Sequence, residues 1–116
     1  MAHIEMDKRL ETVVYDCQKG DLAAFAALFI RFQDRIYDLA CVILQDETEA
    51  EDAVQDVFLR VFKRIRDYRG ESSFNTWLVA ITVNYCRDKL RRRTVRRALS
   101  LENLAPGLLG RFLRCS

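Results

Sequence analysis

Along most of this chain apolar residues recur at the three- and four-residue spacing of amphipathic helices. Leu10, Val13, Val14 and Cys17 share one face of a first helix, predicted from about Asp7 to Lys19. Gly20 offers a stop and Asp21 an N-cap for the next helix. Phe25, Leu28, Phe29, Phe32, Ile36, Leu39, Ala40 and Ile43 form a stripe that carries the second helix to about Leu44. A stripe this regular reads as core and needs no cofactor to explain it. Thr48-Glu49-Ala50-Glu51 has the form of a capping box, and opens a third helix whose buried stripe is Val54, Val57, Phe58, Val61, Phe62 and Ile65. Tyr68-Arg69-Gly70-Glu71-Ser72-Ser73 reads as a loop with two hydroxyls able to cap a helix. The fourth helix starts near Phe74 and runs into a cluster of arginines. Its apolar side holds Phe74, Trp77, Leu78, Ile81, Tyr85 and Leu90, and Asn75, Thr76, Asn84, Arg87, Asp88 and Arg91 are polar positions elsewhere around it. Beyond Arg97 the period weakens, and residues 98–116, with Pro106-Gly107, read as a tail or the start of an interdomain linker. The expected fold is all-α: a compact bundle of about four helices over residues 1–97, without internal repeats.

The chain's 116 residues fit one small domain, and 4 glycines with 1 proline are too few for a turn-rich sandwich or barrel. Its longest apolar run, Leu22 to Ile30, is about half of what a membrane span requires. Met1-Ala2-His3-Ile4-Glu5 lacks the order of a secretory signal, so the expected location is cytoplasmic, with no membrane insertion. Cys17, Cys41, Cys86 and Cys115 are far apart with no C-x-x-C pair, and His3 is the only histidine. That set does not make a zinc site, and the first three thiols are expected to be reduced and packed as small apolar groups. No positioned base is evident for a cysteine nucleophile, and no phosphate-binding loop or nucleophile elbow occurs. An enzyme is therefore not expected: no catalytic residue, metal or cofactor is assigned.

The formal charge of +2 says little, but its distribution is uneven. Asp46, Glu47, Glu49, Glu51, Asp52 and Asp56 fall in a stretch without a base. Arg87, Lys89, Arg91, Arg92, Arg93, Arg96 and Arg97 crowd a stretch of equal length whose single acid is Asp88. A solvated helix face explains either run taken alone more simply. The density of the basic run nevertheless points to phosphates. Asp52, Gln55 and Asp56, spaced i, i+3 and i+4, make one polar patch whose acidity helix packing does not explain. Phe74 and Trp77 have core packing as their simpler role. Next to a basic track, though, aromatics suit single-stranded nucleic acid, where each stacked base contributes roughly 1–3 kcal/mol.

The stretch Ala50-Glu51-Asp52-Ala53-Val54-Gln55-Asp56-Val57-Phe58-Leu59-Arg60, followed by Tyr68-Arg69-Gly70-Glu71-Ser72-Ser73-Phe74-Asn75-Thr76-Trp77-Leu78, Asn84 and Arg91-Arg92-Arg93, resembles region 2 of bacterial sigma factors of the extracytoplasmic-function (ECF) group. The resemblance covers about residues 7 to 97. It implies that Asp52, Gln55 and Asp56 dock on the clamp helices of the largest subunit of core RNA polymerase. It also implies that Tyr68, Arg69, Gly70, Glu71, Ser72 and Ser73 hold a flipped-out base of the single-stranded −10 non-template strand. Phe74, Trp77 and Asn84 would lie beside that base, and Arg87, Lys89, Arg91, Arg92 and Arg93 would follow the backbone. Such a domain melts its promoter with binding energy, because extracting a base costs only a few kcal/mol.

Two departures accompany the resemblance. Val79-Ala80 stands where members often carry Tyr-Arg, so promoter preference does not carry over. No helix-turn-helix domain follows before Ser116. The competing expectations are a single-domain interaction module, binding an anti-sigma partner or the polymerase clamp without productive initiation, and a generic basic nucleic-acid binder.

Overall fold

Three short breaks divide residues 2–104, which are otherwise helical. A computed structural model describes residues 2–104, with side chains placed for residues 9–101. The helices are α1 (Ala2–Gln18), α2 (Leu22–Leu44), α3 (Glu47–Arg64) and α4 (Phe74–Leu104), with a 3-10 turn, Ile65–Asp67, closing α3. No strand occurs among the described residues, and the all-α expectation holds.

Each break has a local cause. Gly20 adopts φ +92°, a conformation that strains any residue with a Cβ, and Asp21 then accepts a hydrogen bond from the Ala24 amide. The second break is tighter than the sequence predicts. Gln45 takes the left-handed C-cap position at φ 53° and Asp46 accepts from the Glu49 amide, so α3 starts at Glu47. Asp46 therefore replaces Thr48 as the cap: it stands earlier and its carboxylate reaches the exposed amides first. At the third break Gly70 turns at φ +77°, and the Ser73 Oγ accepts from the Thr76 amide at 3.1 Å to start α4.

α2 is the axis of the bundle and packs against α1, α3 and α4. Leu28, Phe32, Ile36, Ala40 and Leu44 are its buried stripe. Ala50, Ala53, Val54, Val57, Phe58 and Val61 face it from α3, and Phe74, Leu78, Ile81, Tyr85 and Cys86 from α4. Phe62, expected in the buried stripe, is 51% exposed and meets Phe25 edge-on at the rim, with ring centroids 5.1 Å apart. Small alanines at 50 and 53 let α3 approach α2 closely instead.

The helix limits also differ from the sequence reading. α1 begins at Ala2 rather than Asp7, and α4 continues past Arg97 to Leu104, with Ala98 buried. Nothing in residues 98–104 breaks a helix, and weak periodicity there did not stop one forming. Cys17 and Cys86 are buried as expected, while Cys41 is only half-buried. The side chain of His3, Cys115 and the Pro106-Gly107 pair lie outside the described residues.

Candidate nucleic-acid and polymerase interfaces

The loop between the 3-10 turn and α4 is built from both ends of the sequence. Gln18, the last residue of α1, donates from its Nε2 to the backbone oxygens of Ile65 at 2.9 Å and Tyr68 at 2.8 Å. The Tyr68 hydroxyl donates to the Ser72 carbonyl at 2.6 Å, closing the loop on itself. The Tyr68, Phe74 and Trp77 rings form one cluster with centroids 5.3–5.7 Å apart. Burial, and then the charge of Glu11, pushes the Tyr68 hydroxyl above its ordinary range, which keeps it a donor.

Two hollows flank this loop. One, about 670 Å³, opens between α1 residues such as Glu11, Tyr15 and Gln18 and the loop residues 68–74. The other, about 390 Å³, is bounded by Asp67, Tyr68, Arg69, Glu71, Ser72 and Trp77. Both are large enough for a nucleobase and offer hydroxyl and carboxylate edges beside an aromatic wall. The cleft is not filled by the protein's own interior.

The predicted site residues separate into groups. Arg69, Gly70, Glu71, Ser72 and Ser73 are exposed around the hollows, and Tyr68 and Trp77 are half-buried at their edge. Phe74 is only 4% exposed and packs on Phe32, so it backs the aromatic wall at the floor of the larger hollow. Asn84 lies outside both hollows, seven residues and about 10 Å along α4 from Trp77. Trp77, Ala80, Asn84, Arg87 and Arg91 follow one another at three- and four-residue steps, so they form a single ridge. Arg87, Arg91 and Arg92 are exposed. Lys89 is half-buried, with its ammonium 3.5 Å from the Tyr85 hydroxyl. Arg93 is held within the fold: its guanidinium pairs with Glu49 and donates to the Leu44 carbonyl at 3.4 Å. Its direction follows from its place on the inner side of α4, where α2 ends and α3 begins.

On α3, Asp52, Gln55 and Asp56 are all exposed and contiguous. Among the described residues no hydrogen bond or ion pair joins Asp52 or Gln55 to another helix, but Asp56 accepts a hydrogen bond from Tyr85 of α4. Several residues that position these surfaces have no local sequence signal. Gln18 is one, the Arg35 side chain bonded to Asn75 is another, and Tyr85 is a third. Among the described residues no cluster of acids, cysteines or histidines is arranged to hold a metal ion. None of the described helices is long and apolar enough to cross a membrane.

Known proteins are similar to this chain in sequence and in fold. The Sigma-70 region 2 family model matches residues 28–96. The RNA polymerase sigma-H factor of Pseudomonas aeruginosa is 34% identical over 86 residues, 74% of this chain and 43% of the relative. The ECF RNA polymerase sigma factor SigW of Bacillus subtilis is 32% identical over 88 residues, 76% of this chain and 47% of the relative. The chain thus spans less than half the length of these two relatives. An NMR structure of an engineered region 2 of sigmaE in complex with GTAAAA superposes with a TM-score of 0.70 at 28% identity, covering 75% of this chain and 90% of that one.

The family-model match and the shared fold make this helical domain a sigma factor region 2 domain, and the chain belongs to the Sigma-70 region 2 family. Within that family it stands with the ECF group.

Proposed function

We propose that this chain binds core RNA polymerase and recognises and melts the −10 promoter element during transcription initiation. The observation that carries the reading is the pair of open hollows around the 68–73 loop, continuous with the Trp77–Asn84–Arg87–Arg91 ridge. An unpaired base of the non-template strand enters the smaller hollow, stacks on the Tyr68–Trp77 wall and meets polar groups of Ser72 and Glu71. The following phosphates run along α4 past Asn84 to Arg87, Arg91 and Arg92, releasing condensed counterions. Stacking and phosphate contacts together offset the few kcal/mol needed to unstack a base. The relative solved in complex with GTAAAA supports a short oligonucleotide as the ligand class.

Asp52, Gln55 and Asp56 form the docking surface for the clamp helices of the largest polymerase subunit, where a cationic partner would meet the carboxylates. The polymerase supplies all bond-making chemistry, so the domain acts as a non-enzymatic, cytoplasmic specificity module. An anti-sigma protein that masks either surface would silence it.

Two substitutions test the reading. Asp56→Arg is expected to abolish measurable binding to core polymerase while changing affinity for a single-stranded −10 oligonucleotide less than twofold. Asn84→Ala is expected to do the reverse. Loss of both activities in either variant refutes the division into two surfaces.

A further inference from the structure

Asp56 stands in the docking patch of α3, yet it is bonded to the helix assigned to DNA. The Tyr85 ring is 4% exposed, and its hydroxyl donates to the Asp56 Oδ2 at 2.6 Å. A ring of charged groups surrounds this bond. The Arg60 guanidinium lies over the Tyr85 ring, 5.0 Å from its centroid, and approaches Asp88 to 4.0 Å. Asp88 in turn faces Arg91 at 4.0 Å, and the Lys89 ammonium is 3.5 Å from the Tyr85 oxygen. An exposed carboxylate normally samples several rotamers, and ordering it on binding costs free energy. Here one of its oxygens is fixed by a short, charge-assisted bond to a side chain locked in the core.

We propose that Tyr85 is a positioning residue for polymerase docking: its hydroxyl fixes the Asp56 carboxylate in the orientation that a cationic group of the polymerase engages. The inference rests on the docking role of Asp56. Tyr85 itself does not touch the polymerase. Burial, followed by the Asp56 bond and charge, raises the Tyr85 pKa, so the hydroxyl stays protonated and remains a donor at any physiological pH. Because Tyr85 adjoins Asn84 and lies within two turns of Arg87 and Arg91, the bond also fixes the docking carboxylate relative to the DNA ridge.

A double-mutant cycle on the full chain tests this. Tyr85→Phe removes the hydroxyl and keeps the ring in place. It is expected to weaken binding to core polymerase three- to tenfold, with oligonucleotide affinity unchanged within twofold, and to have no further effect in an Asp56→Ala background. Wild-type polymerase affinity in Tyr85→Phe overturns the inference. So does an equal loss in the Asp56→Ala background, or a loss of oligonucleotide binding, since both indicate a general effect on the fold. Unimpaired polymerase binding by Asp56→Ala alone overturns the docking reading instead. A measurement without any substitution at position 85 completes the test. With tyrosine labelled at the ring Cζ, the Tyr85 resonance is expected to keep its hydrogen-bonded shift in the polymerase complex. Movement to the position seen in free Asp56→Ala shows that the bond breaks on docking and overturns the inference.

Discussion

Replacing Gln18 with alanine separates the scaffold of the 68–73 loop from the surface proposed to receive a base. The side chain makes two hydrogen bonds, to the carbonyls of Ile65 and Tyr68, that join α1 to residues 47 and 50 positions away. Each such bond contributes about 0.5–1.5 kcal/mol net, so their joint loss should destabilise the domain by about 1–3 kcal/mol. Both bonds are partly buried, and water entering through the adjacent groove can partly replace them, so the lower half of that range is expected. The effect on function should be larger than the stability change suggests, because a loop that is no longer preorganised must be ordered when the base enters. Trp77 is the only tryptophan in the chain and lines the smaller hollow, so its fluorescence reports oligonucleotide binding directly. Urea denaturation measures the stability loss, and a fluorescence titration at a temperature where the variant is fully folded measures affinity, expected to fall about three- to tenfold. Gln18→Ala with reduced stability but unchanged affinity refutes the view that α1 sets the loop geometry.

Further outcomes follow from the charge layout and the buried tyrosine. Arg87→Ala and Arg91→Ala should each weaken binding of any single strand and lower the salt-dependence slope by about 0.7, as expected when one phosphate is no longer neutralised; a slope unchanged in both moves the backbone path off this ridge. Tyr85 has its pKa raised above the ordinary 10.0, first by burial and then by Asp56. The folded state therefore holds this proton more tightly than the unfolded chain. The resulting stability is complete below about pH 10 and declines as pH rises beyond it. The stability advantage of the native protein over Tyr85→Phe, measured by urea denaturation, should accordingly be flat to about pH 9 and shrink above pH 10.

The helices were legible because each carries its apolar residues at one period, and because Asp21 and Gly20 act on backbone atoms only a few residues away. The acidic patch and the loop were legible for a related reason: Asp52, Gln55 and Asp56 fall together on one helix face by spacing alone, and 68–73 is contiguous. Errors arose where a residue's role depends on an element distant in sequence. Phe62 has the spacing of a core residue but sits at the rim, where it meets Phe25 of α2 edge-on and leaves half of its surface exposed. Phe74 looks like a stacking platform beside a basic track, yet Phe32 covers it. Arg93 belongs to an arginine run that suggests phosphates, and it pairs instead with Glu49 and the end of α2.

By itself, the sequence determines which residues become helical, which face of each helix is apolar and where acids and bases accumulate, because these depend on neighbours within about four positions. It does not determine which polar group stands opposite another once the helices pack. Gln18 reaching Tyr68, and Tyr85 reaching Asp56, join positions separated by 50 and 29 residues. Those pairings depend on the rotation and offset of one helix against its neighbour, which only the tertiary packing fixes. They are what give the loop its shape and tie the Asp56 carboxylate to α4.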